Sequence, residues 1–171
     1  IKLVSYAHLE GFYYKPRVDI ELLEKYSKGI IALSACLKGK IAETILTKAE
    51  KEAIKIAARY QDIFGKGNFY LELQDHGIKE QEIVNRTLIQ ISKKLSIPLV
   101  ATNDVHYIEK EHSEAHEILL CIQTGTVISD PNRMIYPTNE FYLKTPMVMY
   151  KIFKDIPEAI HNTIEIMHKC T

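Results

Sequence analysis

Three short apolar runs, each closing on polar residues, alternate along the chain with longer stretches in which apolar residues recur every three or four positions. The runs are "GIIALS" (Gly29–Ser34), "FYLEL" (Phe69–Leu73) and "PLVAT" (Pro98–Thr102), and they predict strands. Between the first two, the stretch Lys48–Phe64 sets Ala49, Ala53, Ile56, Ala57 and Tyr60 on one stripe and Lys48, Lys51, Glu52, Lys55 and Arg59 on the other face. That is an amphipathic helix with a solvated charged side. Residues Ile78–Leu95 repeat the pattern through Ile83, Val84, Leu88, Ile91 and Leu95. Strand and helix in alternation predict an α/β fold with a mainly parallel sheet.

The flanks are read in the same way. The opening "IKLVSYAHL" alternates apolar and polar residues and looks strand-like, with His8 inside it. In "EGFYYKPRVDIELLEKY", Gly11, two tyrosines and the basic pair Lys15 and Arg17 precede a short helix over Asp19–Tyr26. Beyond the third strand the period is helical: one helix from Glu111 to Thr124, with Leu119, Leu120 and Ile122 pointing inward. Gly125, Pro131 and Pro137 then enforce a loop. Thr145 and Pro146 supply the N-cap and first position of a short helix to Phe153, and Asp155–Glu158 opens a last helix ending near Cys170.

Composition narrows the class. At 171 residues, 46% of them hydrophobic, the chain can bury one substantial core. Lys plus Arg and Asp plus Glu are 22 each, so overall charge does not drive nonspecific nucleic-acid binding, while a local basic patch stays open. No apolar run reaches the roughly 20 residues of a membrane span, and the expectation is a cytoplasmic protein without membrane contact. The three cysteines, Cys36, Cys121 and Cys170, are far apart and form no CxxC pair, which suits reduced thiols; Cys121 and Cys170 read as small buried hydrophobes. Because the chain starts at Ile1 rather than Met, it is expected to be a piece of something longer.

Candidate chemistry follows from position relative to the strands. Parallel α/β proteins bind ligands at the carboxyl ends of their strands. Cys36 lies just past the first strand, Asp75 and His76 past the second, Asp104 and His106 past the third. In an extended segment residues two apart share a face, so Asp104 and His106 can reach one ion while Val105 turns away. Carboxylate and imidazole suit zinc, manganese or iron, and a thiolate favours zinc. His112 and His116 are four apart on a helix, but "HSEAH" is not the HExxH of metalloproteases; His112 is expected to be exposed and His116 to pack locally. His8, His161 and His168 are read as structural or surface residues. Lys15 and Arg17 could contact phosphate or DNA, or sit in a tyrosine-rich turn packed on the sheet.

With "EGFYYKPRVD", "GIIALSACLKGKI", "FYLELQDHG", "PLVATNDVHY", "HEILLCIQTG", "DPNRM" and "EFYLK" in order, the whole chain resembles the alpha subunits of bacterial replicative DNA polymerase III. Within them it is similar to the later part of the amino-terminal PHP (polymerase and histidinol phosphatase) domain. The resemblance implies part of a distorted (β/α)7, TIM-like barrel over residues 1–124. Residues 125–171 would be a loop and helices leading toward the polymerase palm. It implies Cys36, Asp104 and His106 as metal ligands, with Asp75 and His76 as neighbours supporting them. The remaining ligands, a His-x-His pair, an Asp-His pair, a Glu and a His, are expected upstream of Ile1. The cofactors implied are zinc or manganese in the intact PHP site and magnesium for polymerisation. The activities implied are DNA-directed DNA polymerisation by the parent protein and metal-dependent 3′→5′ exonuclease hydrolysis in the PHP domain. The alternative is a non-catalytic scaffold that steadies the palm and docks a separate proofreading exonuclease. Primer-template DNA, deoxynucleotides and other replicase subunits are the implied partners. No polymerase carboxylate is assignable within the chain. By itself it is expected to be inactive, to bind metal poorly, and to be unstable or to associate through an exposed sheet edge.

Overall fold

In a computed structural model, which describes residues 1–170, the chain forms three parallel strands and eight α-helices among the described residues. Helices α1 (Lys2–Leu9) and α2 (Ile20–Tyr26) precede strand β1 (Ala32–Leu33). Helices α3 (Lys40–Leu46) and α4 (Glu50–Phe64) lead to β2 (Phe69–Leu73), and α5 (Lys79–Leu95) leads to β3 (Leu99–Ala101). A 3-10 turn at Lys110–His112 opens α6 (Ser113–Thr124), and α7 (Pro146–Ile152) and α8 (Pro157–Lys169) complete the chain. The order across the sheet is β1-β2-β3, with Ala32 opposite Phe69 and Leu71 opposite Leu99. Parallel α/β architecture is therefore as the apolar runs predict. Thr171, at the end of the predicted connecting segment, lies outside the described residues.

β2 is central, and its alternation sets the layers. Phe69, Leu71 and Leu73 enter one core with Ile41 and Ile45 of α3, Ala53 and Ala57 of α4, and Val84, Leu88 and Ile91 of α5. On α4 the two fully buried stripe positions are alanines, so the helix can approach its neighbours closely while its charged face stays outside. Phe153, Ala159 and Ile160 join the same core, which ties α7 and α8 to the sheet. Asn162 of α8 donates to the Leu99 carbonyl at 2.7 Å, and Lys169 donates to the Gly67 carbonyl at 2.6 Å and the Tyr70 hydroxyl at 3.0 Å. Among the described residues, no helix is long and apolar enough to cross a membrane.

Helix starts follow the capping residues. Asp19 accepts from the Leu22 amide at 2.8 Å, and Thr145 accepts from the Val148 amide ahead of Pro146. Several expectations need correction. The opening stretch is helical: Leu3, Tyr6 and Ala7 form its inner stripe, and Tyr6 stacks on Tyr26 with ring centroids 5.4 Å apart. Helix α3 is an element the apolar runs did not announce. On α6, Leu120 and Cys121 are buried, whereas Leu119 and Ile122 are 61% and 72% exposed, and on α5 Ile83 is exposed. Cys170 is exposed rather than buried.

Removing a side chain that completes the central layer leaves a cavity the strands cannot close. Leu71→Ala is expected to cost about 2–5 kcal/mol in urea unfolding, whereas Leu119→Ala on the exposed face of α6 should stay within about 0.5 kcal/mol.

Candidate functional site

Each strand turns into its following loop through a residue with left-handed backbone: Ala35 (φ 65), Gly77 (φ 70) and Asp104 (φ 45). Such a conformation costs an alanine about 1 kcal/mol and is better tolerated by Asp. After β1 the chain closes tightly, with the Gly39 amide donating to the Cys36 carbonyl at 2.8 Å. A Cβ at position 39 would collide with the Ser34 carbonyl oxygen and lie 3.0 Å from that of Cys36, so the turn requires glycine. Cys36 is left half-buried at its mouth.

After β2, His76 is fully buried and fully partnered. Its Nε2–H donates to the Asn103 carbonyl at 2.7 Å, and its Nδ1 accepts from the Gln81 side-chain amide at 2.8 Å. Gln81 returns through Oε1, which accepts from the His76 amide at 2.8 Å, and the imidazole stacks on Phe141 at 4.1 Å. With both nitrogens used internally, His76 holds the loop after β2 to the loop after β3. Asp75 is exposed, and its Oδ1 accepts from the Gly77 amide at 3.0 Å.

After β3, the His106 amide donates to the Phe141 carbonyl at 2.8 Å. The His106 Nδ1–H donates to the Asp104 carbonyl at 2.7 Å, which leaves Nε2 as the acceptor in the neutral ring; it receives the Tyr136 hydroxyl at 2.8 Å. Burial, followed by the charges of Asp104 and Cys36, holds the Tyr136 hydroxyl above the usual phenol range. His116 joins this group, its ring centroid 5.6 Å from that of His106, and burial followed by the His106 charge lowers its pKa.

The donor types fit a metal, and the His106 tautomer is the one a ligand needs. The set as a whole does not close: among the described residues no group of three or more His, Cys, Asp or Glu side chains could hold an ion. The structure brings His106, His116 and Tyr136 together and keeps His76 in the supporting core. His112 is exposed, with its Nδ1 accepting from the Glu109 amide at 3.3 Å. His8, His161 and His168 are exposed, and His161 pairs with Glu165 at 3.4 Å. Lys15 and Arg17 are exposed too; the Arg17 guanidinium lies 5.4 Å from the Tyr13 ring centroid, and Tyr13 and Tyr14 pack edge to face on each other.

Tyr136 and Lys144 are the side chains that spacing did not single out. Lys144 is buried, donating to the Glu140 carbonyl and to Asn103 Oδ1 at 3.2 Å. Glu140 also pairs with Lys110. The hydrogen bond from Lys110 holds the Glu140 carboxyl below its ordinary range and raises the Lys110 ammonium in turn. Lys144 shifts the other way: its burial disfavours the charged form by more than Glu140 restores.

Comparison with known proteins supplies first a class and then a particular relative. Residues 1–76 match the family model described as PHP domain. The chain is 48% identical over 170 residues, 99% of its length, to the DNA polymerase III subunit alpha of Borreliella burgdorferi. It is 47% identical over 98% of its length to that of Treponema pallidum, and 42% identical over 99% to that of Thermus aquaticus. The resemblance carried by the seven sequence blocks is borne out. The chain spans about 15% of the length of the Borreliella relative and about 14% of the other two.

The Glu140 cluster makes a pH prediction. A carboxyl whose folded pKa is depressed contributes stability that is present above its unfolded pKa and lost as pH falls through the folded value. Urea midpoints measured from pH 6 downward should therefore fall in the acidic carboxylate range, and Glu140→Gln should flatten that part of the profile.

Proposed function

We propose that the chain is the later part of the PHP domain of a replicative DNA polymerase III alpha subunit, and that Cys36, Asp104 and His106 belong to a metal site completed by other segments of the parent polypeptide. On this reading residues 1–124 form part of a distorted (β/α)7 barrel, and residues 125–171 lead toward the palm. The observation that carries the reading is the His106 tautomer: Nδ1–H is committed to the Asp104 carbonyl at 2.7 Å, so the Nε2 lone pair, which receives the Tyr136 hydroxyl at 2.8 Å, is the one a metal would take.

Bound zinc or manganese would supply a water of lowered pKa and neutralise charge on a phosphodiester oxygen. The chain's own contribution is to orient donors. Asp104 offers a carboxylate from a left-handed turn, His106 an imidazole of fixed tautomer, and Cys36 a thiol at the mouth of the Gly39 turn. The reaction proposed for the intact domain is 3′→5′ removal of nucleotides from a primer end. DNA-directed polymerisation, with magnesium and carboxylates on the palm, is proposed for the parent. Primer-template DNA, deoxynucleotides and other replicase subunits are its proposed partners. Lys15 and Arg17, both exposed, are proposed to contact DNA phosphate, with Asp75 and His76 supporting the rim.

A second reading has its own observation. Because no three donors converge among the described residues, and Phe153, Ala159 and Ile160 share the core of the sheet, the domain also suits a scaffold that steadies the palm and docks a separate exonuclease.

The parent polymerase decides between them. Asp104→Ala and His106→Ala should lower its content of zinc or manganese at least tenfold and abolish nucleotide release from a mismatched primer end, with polymerisation retained. A metal-free wild type, or undiminished release in both variants, would sink the nuclease reading and leave the scaffold. Lys15→Ala and Arg17→Ala should each lower the salt slope of DNA binding by about one.

A further inference from the structure

We infer that Lys144 is a positioning residue for the loop that carries Asp104 and His106, and that it acts by clamping Asn103. What the loop is for rests on the metal-site reading above; the clamp does not. An ammonium removed from water is costly unless each proton finds an acceptor. The Lys144 side chain is 1% exposed, and its ammonium meets the Glu140 carbonyl, Asn103 Oδ1 at 3.2 Å and Glu140 Oε2 at 3.6 Å. The face of Tyr142 covers it, with the ring centroid 4.4 Å away. A merely space-filling role would be met by methionine, which has similar length and needs no partner.

The residue held is Asn103. Its Oδ1 accepts from Lys144, its Nδ2 donates to the Tyr142 carbonyl at 2.7 Å, and its own carbonyl accepts from His76 Nε2 at 2.7 Å. Asn103 is thereby fixed from two separate stretches of chain, the loop after β2 and the segment 142–144. The next residue, Asp104, takes the left-handed turn, and two residues later His106 closes on the Phe141 carbonyl. Losing the Lys144 bond removes one of the three hydrogen bonds that fix Asn103 immediately before that reversal. Glu140 does not need Lys144 as a counterion, because Lys110 already pairs with it at the surface.

Hydrogen–deuterium exchange on the parent polypeptide tests the clamp without metal or activity. In Lys144→Met, the peptide covering residues 103–108 should exchange at least tenfold faster, with the peptide covering residues 69–74 unchanged. Asn103→Ala, which leaves Lys144 paired with Glu140, should accelerate the same peptide. Unchanged protection of 103–108 in both variants, or equal acceleration at 69–74, overturns the inference. In the same variants zinc uptake by the parent should weaken tenfold or more, as for other partners that orient a ligand. Local acceleration in a wild-type background that takes up no zinc would uphold the clamp and overturn the metal reading alone.

Discussion

A polar group shut away from water must find its partners inside the protein, and the strand-end loops are arranged around one such group, the His76 imidazole. Both ring nitrogens and the backbone amide of His76 are engaged, by Asn103 and twice by Gln81. The position of Gln81 on α5 follows from that demand, since its amide must reach over the end of β2. Thr138 adds a bond to the His76 carbonyl at 2.8 Å, and Phe141 stacks on the ring, so the long loop after α6 is drawn back over the sheet. Leaving any of these groups unpaired would cost about 1–3 kcal/mol. The loops at this end are therefore held by hydrogen bonds that water cannot replace, and the half-buried Asp104 and exposed His106 inherit their order from the buried groups.

The sheet beneath is small, and its strands pair over only two to five residues each. What stabilises it is coverage. Phe69, Leu71 and Leu73 are sealed by α3, α4 and α5, while α8 runs along β3 and ties back through Asn162 and Lys169. The last helices are thus part of the layer that keeps β3 in register. Any rearrangement of α8 would be felt at β3, and through Thr102 and Asn103 at the site.

Much of this was legible because strand ends and helix stripes are local signals. The second strand, the starts of α7 and α8 and the parallel order follow from residues close together in sequence. The failures share one cause, which is that burial is decided by what a face meets. "IKLVSYAHL" carries an alternating pattern and, through Leu3, Tyr6 and Ala7, a helical one; the contact with Tyr26 across 20 positions selects the helix. Leu119 and Ile122 are apolar enough for a core, yet no described element covers that side of α6. At the strand ends, spacing singled out Asp104 and His106, and the structure puts both in the loop after β3. Tyr136 is 30 residues from His106 and Lys144 is 41 from Asn103, so neither pairing leaves a trace in local periodicity.

The two hydrogen-bonded neighbours of this loop differ in what they would do when an ion arrives. Tyr136 donates to His106 Nε2, the lone pair that ligation requires, and the exchange of one such hydrogen bond costs about 1 kcal/mol net. On the proposed reading it holds the place that a metal would take. Lys144 and His76 hold Asn103, the residue before Asp104, through its side-chain and backbone oxygens, and both of these partners are buried. On the proposed reading the rim therefore combines a yielding partner at the imidazole with fixed ones at Asn103, just before the ligand-bearing turn. This is the arrangement a ligand needs if it is to be held in tautomer and direction before the rest of the coordination shell is in place.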